Sequence, residues 1–138
     1  MKFAFDKQEN YTVLSISESK LTSLIAPDLK TEFALLNNEG IKNIILDLSQ
    51  VAFVDSSGLS AILIGNRLCQ NVEGTFVIAA PNDNVRKLFQ ISQLDNVLKI
   101  IPTLKEARDY VMLDLLMQEL EAEGENIGDG DEDEDEDE

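Results

Sequence analysis

The chain has 138 residues, 43% of them apolar, with one cysteine, no histidine, no tryptophan and a formal net charge of −16. That length is about one domain, and such a domain buries close to ~70% of its unfolded surface without staples. A single cysteine, Cys69, excludes an internal disulfide framework. The missing imidazole excludes histidine-based catalysis and zinc sites with histidine ligands. Only 6% aromatic residues and a strong negative charge argue against any direct nucleic-acid partner.

Most of the charge is local. Residues 121–138 hold twelve of the 27 acids and none of the 11 bases, which leaves the first 120 residues at a net −4. Two parts are expected: a folded domain over 1–120 and a disordered acidic tail over 121–138, because a run of like charges repels itself and stays solvated. Asp129, Asp131 and Asp133 alternate as in a calcium loop, but Glu134 stands where glycine is needed, so no metal site is expected. Solubility, or weak contact with basic partners, is the expected role of the tail. No run approaches the ~20 apolar residues of a membrane span, and the start, MKFAFDKQEN, turns polar after five residues. A cytoplasmic location without membrane insertion is expected.

Lys2–Asp6 and Tyr11–Ile16 read as two strands joined in a hairpin across a polar turn. Pro27 suits the first turn of a helix whose apolar stripe is Leu29, Phe33 and Leu36, ended by Gly40 in a left-handed conformation. Ile44–Leu46 reads as a strand buried on both faces. A helix over about Ser57–Val72 is apolar nearly all round and expected to be largely buried. Then follow a strand over Thr75–Ala80, a helix over Asn82–Ile91 with Val85, Leu88 and Phe89 inward, and a strand over Val97–Ile101. Thr103 and Glu106 form a capping box for the last helix. A hairpin followed by strand–helix alternation predicts an α/β domain with a mixed sheet and about four helices.

One segment carries chemistry, IILDLSQVAFVDSSGLSAIL over residues 44–63. A buried strand ends near Leu48, Phe53-Val54 fixes the chain again, and Asp55-Ser56-Ser57-Gly58-Leu59 opens a helix. A serine there caps the helix through its hydroxyl, or receives a phosphate, which helix N-termini favour. Asp55 either places the target hydroxyl or acts as an N-terminal helix charge. Gly58 removes bulk beside the hydroxyls, so another protein can approach. A nucleophilic serine is a third reading, but the segment is not G-x-S-x-G and the chain has no histidine base.

At DLSQVAFVDSSGL, residues 47–59, the sequence resembles the bacterial anti-sigma factor antagonists, which are small single-domain STAS proteins. PNDNVRKLFQISQL, residues 81–94, is similar to the third helix and following turn of that family. The resemblance covers about residues 2–118 and implies a STAS-like fold with no enzymatic activity and no cofactor. It implies that the second serine of D-S-S-G, Ser57, is phosphorylated by a serine kinase that is itself the anti-sigma factor. A phosphatase would reset it. Partner contacts would fall on Asp55, Ser56, Ser57, Gly58, Leu59 and Thr22. The family pattern G-x-L/I-D is here Ser19-Lys20-Leu21-Thr22, so Ser19 replaces a glycine and Thr22 an acid. That departure leaves a second reading, a non-phosphorylated STAS adaptor such as a subunit of a membrane lipid-transport complex.

Two further features are set apart. Cys69 reads as an inert buried thiol. The last helix is apolar on two faces, and Met112, Leu113 and Leu116 lie off the stripe formed by Leu104, Ala107, Val111 and Leu115. Such a face serves a homodimer or a partner helix. The expectation is that the first helix and hairpin cover it instead.

Overall fold

The structure, a computed structural model, describes residues 2–129, with side chains through Gly124. In chain order the elements are β1 (Phe3–Lys7), β2 (Thr12–Ile16), β3 (Lys20–Leu21), α1 (Ala26–Asn38), β4 (Ile44–Asp47), β5 (Phe53–Val54) and α2 (Ser56–Asn71), then β6 (Phe76–Ala79), α3 (Asp83–Ile91), a 3-10 turn (Leu94–Asn96), β7 (Lys99–Ile101) and α4 (Leu104–Asp129). The main sheet has the order β1-β2-β4-β6-β7, antiparallel between β1 and β2 and parallel elsewhere. This is the mixed α/β architecture that the strand–helix alternation predicts. The short ribbon of β3 and the 3-10 turn were not foreseen, because two or three residues show no periodicity.

Side-chain alternation sorts the sheet into two faces. Leu14, Leu46 and Ile78 stand in one row across β2, β4 and β6 and join the main core with Leu29, Phe33, Leu36, Ala61 and Ile62. Val13, Ile45 and Val77 form the next row, on the opposite face, and are also buried. Burial on both faces explains why β4 is a continuous apolar run rather than an alternating one.

Helix α1 buries Ala26, Leu29, Phe33 and Leu36. Pro27 sits in its first turn, where a missing N–H does no harm. Gly40 follows at φ +86°, and Ile41 N–H bonds back to the Leu36 carbonyl at 3.0 Å. Helix α2 differs from expectation. One face is buried, through Gly58, Ala61, Ile62, Gly65 and Cys69, whereas Leu59, Leu63, Ile64 and Leu68 are only half-buried. Small residues cause this by letting α1 pack close along a narrow strip: a Cβ on Gly65 would stand 2.7 Å from the Phe33 ring.

Buried polar groups tie the strand starts together. Asn43 donates to the Asn10 carbonyl at 2.9 Å and accepts from Thr75 N–H at 2.9 Å. Thr12 Oγ1 is different: buried within β2, it has no hydrogen-bond partner. Thr12→Val keeps the shape and removes the unsatisfied hydroxyl, so it is expected to stabilise the fold by about 1 kcal/mol. Urea unfolding with an unchanged slope would measure that gain.

Cys69 is 2% exposed, and burial pushes its thiol up to about 12. The folded chain therefore holds a proton that the unfolded chain releases near pH ~8.5. This part of the stability is complete below that pH and is lost as pH rises towards about 12. Iodoacetamide at neutral pH is expected to label Cys69 only after denaturation. Rapid labelling of the native chain would contradict the burial.

The chain divides after Arg108 into two units. In the first, Arg108 donates to the Tyr11 hydroxyl at 3.0 Å and to Asp6 at 2.7 Å, which fixes the opening turn of α4 to the hairpin. The capping box forms in part: Glu106 N–H donates to Thr103 Oγ1 at 3.1 Å, and the Thr103 hydroxyl donates to the Glu106 carboxylate at 2.9 Å. Helix α4 does not stop where the apolar pattern fades at Glu121. It continues to Asp129, through residues such as Glu121, Ala122 and Glu123 that favour helix without needing an apolar face. Most of the acidic run, residues 130–138, lies outside the described residues.

Candidate functional site

The small ribbon builds the site. β3 and β5 pair in parallel, Lys20 opposite Phe53 and Leu21 opposite Val54. The Ser19 carbonyl accepts from Ala52 N–H at 2.7 Å and Phe53 N–H at 3.1 Å. Ser19 thus serves the ribbon through its backbone, whatever its side chain. Asp55 N–H donates to the Leu21 carbonyl at 3.1 Å, which brings the ends of both strands, Thr22 and Asp55, to the same edge. Asn82 steadies the approach to β5: it caps α3 by accepting from Val85 N–H at 2.8 Å and donates to the Val51 carbonyl at 3.2 Å.

Helix α2 starts at Ser56, one residue before expectation, and this shifts every role. The N-cap is Asp55, whose Oδ1 accepts from Gly58 N–H at 2.9 Å. The reading of a serine as the cap is therefore wrong. Ser56 and Ser57 are the first two helical residues, and neither hydroxyl makes the cap. Both serines therefore lie in the first turn of the helix, whose leading N–H groups lack internal acceptors.

Ser57 is half-buried in an open groove of about 320 Å³ between the starts of α1 and α2. Ser23, Ala26, Pro27, Lys30, Ser56 and Ser60 complete its lining. Lys30 brings an amine to a groove otherwise rich in hydroxyls. Sequence reasoning missed Ser23, Lys30 and Ser60. Ser60 lies one helical turn beyond Ser56 and Ser57, a signal that was available. Lys30 gives no such signal, because nothing local says that α1 lies beside α2.

The remaining singled-out residues fall around the groove rather than in it. Thr22 opens the turn into α1: its carbonyl accepts from Ile25 N–H at 3.0 Å and Ala26 N–H at 2.8 Å. It does not line the groove, and its neighbour Ser23 does. Leu59 is half-buried against the core. Gly58 corrects another expectation. It is buried, and a Cβ there would point inward, 2.5 Å from the Leu21 carbonyl oxygen and 2.8 Å from Val54 Cγ1. Its lack of a side chain lets α2 sit on the ribbon and does not open the outer surface. Two apolar residues beside the site stay exposed, Leu24 at 86% and Phe53 at 53%.

Among the described residues no group of histidine, cysteine and carboxylate side chains is arranged to hold a metal ion. None of the described helices is long and apolar enough to cross a membrane.

The chain is 35% identical over 74 residues to a Thermotoga neapolitana protein provisionally named an anti-sigma factor antagonist, a match spanning 54% of this chain and 66% of the relative. A crystal structure from Thermotoga maritima with the same provisional name is 28% identical and superposes with a TM-score of 0.72, covering 80% of this chain and 94% of the other. Phosphorylated SpoIIAA of Bacillus, described as a cell fate determinant, shares the fold at 24% identity and a TM-score of 0.64, over 79% of this chain and 98% of its own. The STAS domain family model matches residues 2–107. The matched span holds the whole five-stranded sheet, the β3–β5 ribbon and the Ser57 groove, and the chain belongs to the STAS domain family.

Proposed function

We propose that the chain is a cytoplasmic anti-sigma factor antagonist that regulates transcription by partner switching, with phosphorylation of Ser57 as the switch. One observation carries the reading: Asp55 takes over the helix cap, so the Ser57 hydroxyl stands in an open groove with no structural task in the cap. In the unphosphorylated state the surface around Asp55, Ser56, Ser57 and Thr22, with exposed Leu24 and Phe53 beside it, meets an anti-sigma factor that is also the serine kinase. Phosphate adds about −1.5 to −2 charges to that surface and ends the contact, and a phosphatase restores it. The chain is thus a substrate and a binding module rather than a catalyst. The acidic run at its end serves solubility or weak contact with basic partners.

Phosphopeptide mapping of the protein taken from its own host, growing and stressed, tests the reading. Phosphate on Ser57 at a fraction that changes with condition supports it. A bare Ser57 in every condition overturns it and favours the second reading, a docked STAS adaptor. Thr22 is the observation behind that alternative: where the family carries an acid, this chain has a hydroxyl that accepts weakly from Leu24 N–H at 3.4 Å.

A further inference from the structure

We propose that the outer face of α4 docks a basic amphipathic helix of a partner protein. Met112, Leu113, Leu116, Met117 and Leu120 are each between 49% and 59% exposed. At about 100° per residue they fill one side of the helix, away from buried Val111. The stripe runs for about 12 Å, a little over two turns, the reach of a short helix laid alongside it.

Charge selects the occupant. On the same helix, Asp109 and Glu123 close the ends of the stripe and Glu119 and Glu121 flank it. Residues 109–138 hold fifteen of the 27 acids and none of the bases. A second copy would set two such segments against each other, which like-charge repulsion opposes. Anionic lipid would be repelled for the same reason. A helix with leucine-like residues at spacings of three and four, bordered by lysine or arginine, satisfies both the apolar stripe and the acidic frame. This surface is independent of Ser57 and stands whether or not that serine is phosphorylated.

The test uses the full chain and two fluorescein-labelled leucine–lysine peptides of identical composition. One has its leucines at helical spacing and the other has them scattered. The amphipathic peptide is expected to bind about tenfold tighter or better. The pair Leu113→Gln/Leu116→Gln should abolish that preference while leaving the circular dichroism spectrum unchanged, since both side chains are exposed. Equal binding of the two peptides would mean that charge alone acts, and overturns the proposal. So would a dimer of the full chain, seen in sedimentation equilibrium, that the same pair of substitutions disperses. If the pair alters the spectrum, Met117→Gln/Leu120→Gln repeats the test one turn further on, with the same two outcomes.

Discussion

Ser57→Asp is expected to weaken binding to the host's anti-sigma factor by about a hundredfold or more, while Ser57→Ala binds like the unmodified chain. A carboxylate carried into a packed interface without a partner loses its hydration, which costs several kcal/mol, and each ~1.4 kcal/mol is a factor of ten. Neither change should harm the fold. The cap is made by Asp55 on Gly58 N–H, so the Ser57 hydroxyl has no part in it. An aspartate in the first helical turn also suits the helix dipole. Thermal melts of both variants should therefore stay at or above the parent value, which separates lost binding from lost structure. Asp55→Ala gives the contrasting pattern, because it removes the cap and should lower stability by about 1 kcal/mol. Calorimetric titration with the purified anti-sigma factor checks the first pair. Undiminished binding of Ser57→Asp would remove Ser57 from the interface.

The parts of this fold that periodicity can express were legible in the sequence. The hairpin, the buried run Ile44–Leu46 and the stripe Leu29, Phe33, Leu36 all follow from which residues avoid water, and all are found in place. The site was legible as a segment but not as a geometry. Asp55 and the two serines are all ordinary cap residues, and only the backbone decides which one caps. It chose Asp55, because the bond from Asp55 N–H to the Leu21 carbonyl holds that residue in extended conformation at the ribbon's end. β3 was invisible because its pairing with β5 joins residues more than thirty positions apart. Lys30 and Ser23 enter the groove only through the packing of α1 on α2, a tertiary fact with no local trace. The same packing explains the misread α2. Gly65 and Ala61 make a narrow contact, so all three leucines of the helix, Leu59, Leu63 and Leu68, are left at its margin.

Gly58→Ala is expected to destabilise the fold by about 2 kcal/mol, although alanine is the better helix former by ~1 kcal/mol. The added methyl would lie 2.5 Å from the Leu21 carbonyl oxygen and 2.8 Å from Leu21 Cγ and Val54 Cγ1. Two side chains can shift a little, but the carbonyl cannot move freely. It already accepts Asp55 N–H at 3.1 Å, and Leu21 and Val54 are buried. Relief requires either α2 to lift from the ribbon or β3 and β5 to separate, and overpacking of this kind costs ~1–3 kcal/mol. A clash with backbone falls in the upper part of that range and outweighs the propensity gain. Ser60→Ala, on the exposed side of the same helix, is the control and should change stability by less than about 0.5 kcal/mol. Urea unfolding of the two variants makes the comparison. A Gly58→Ala chain as stable as the parent would mean that the ribbon yields easily. Clear destabilisation would assign the glycine of Asp55-Ser56-Ser57-Gly58 to holding the ribbon against α2, and through Asp55 to presenting Ser57 in its groove.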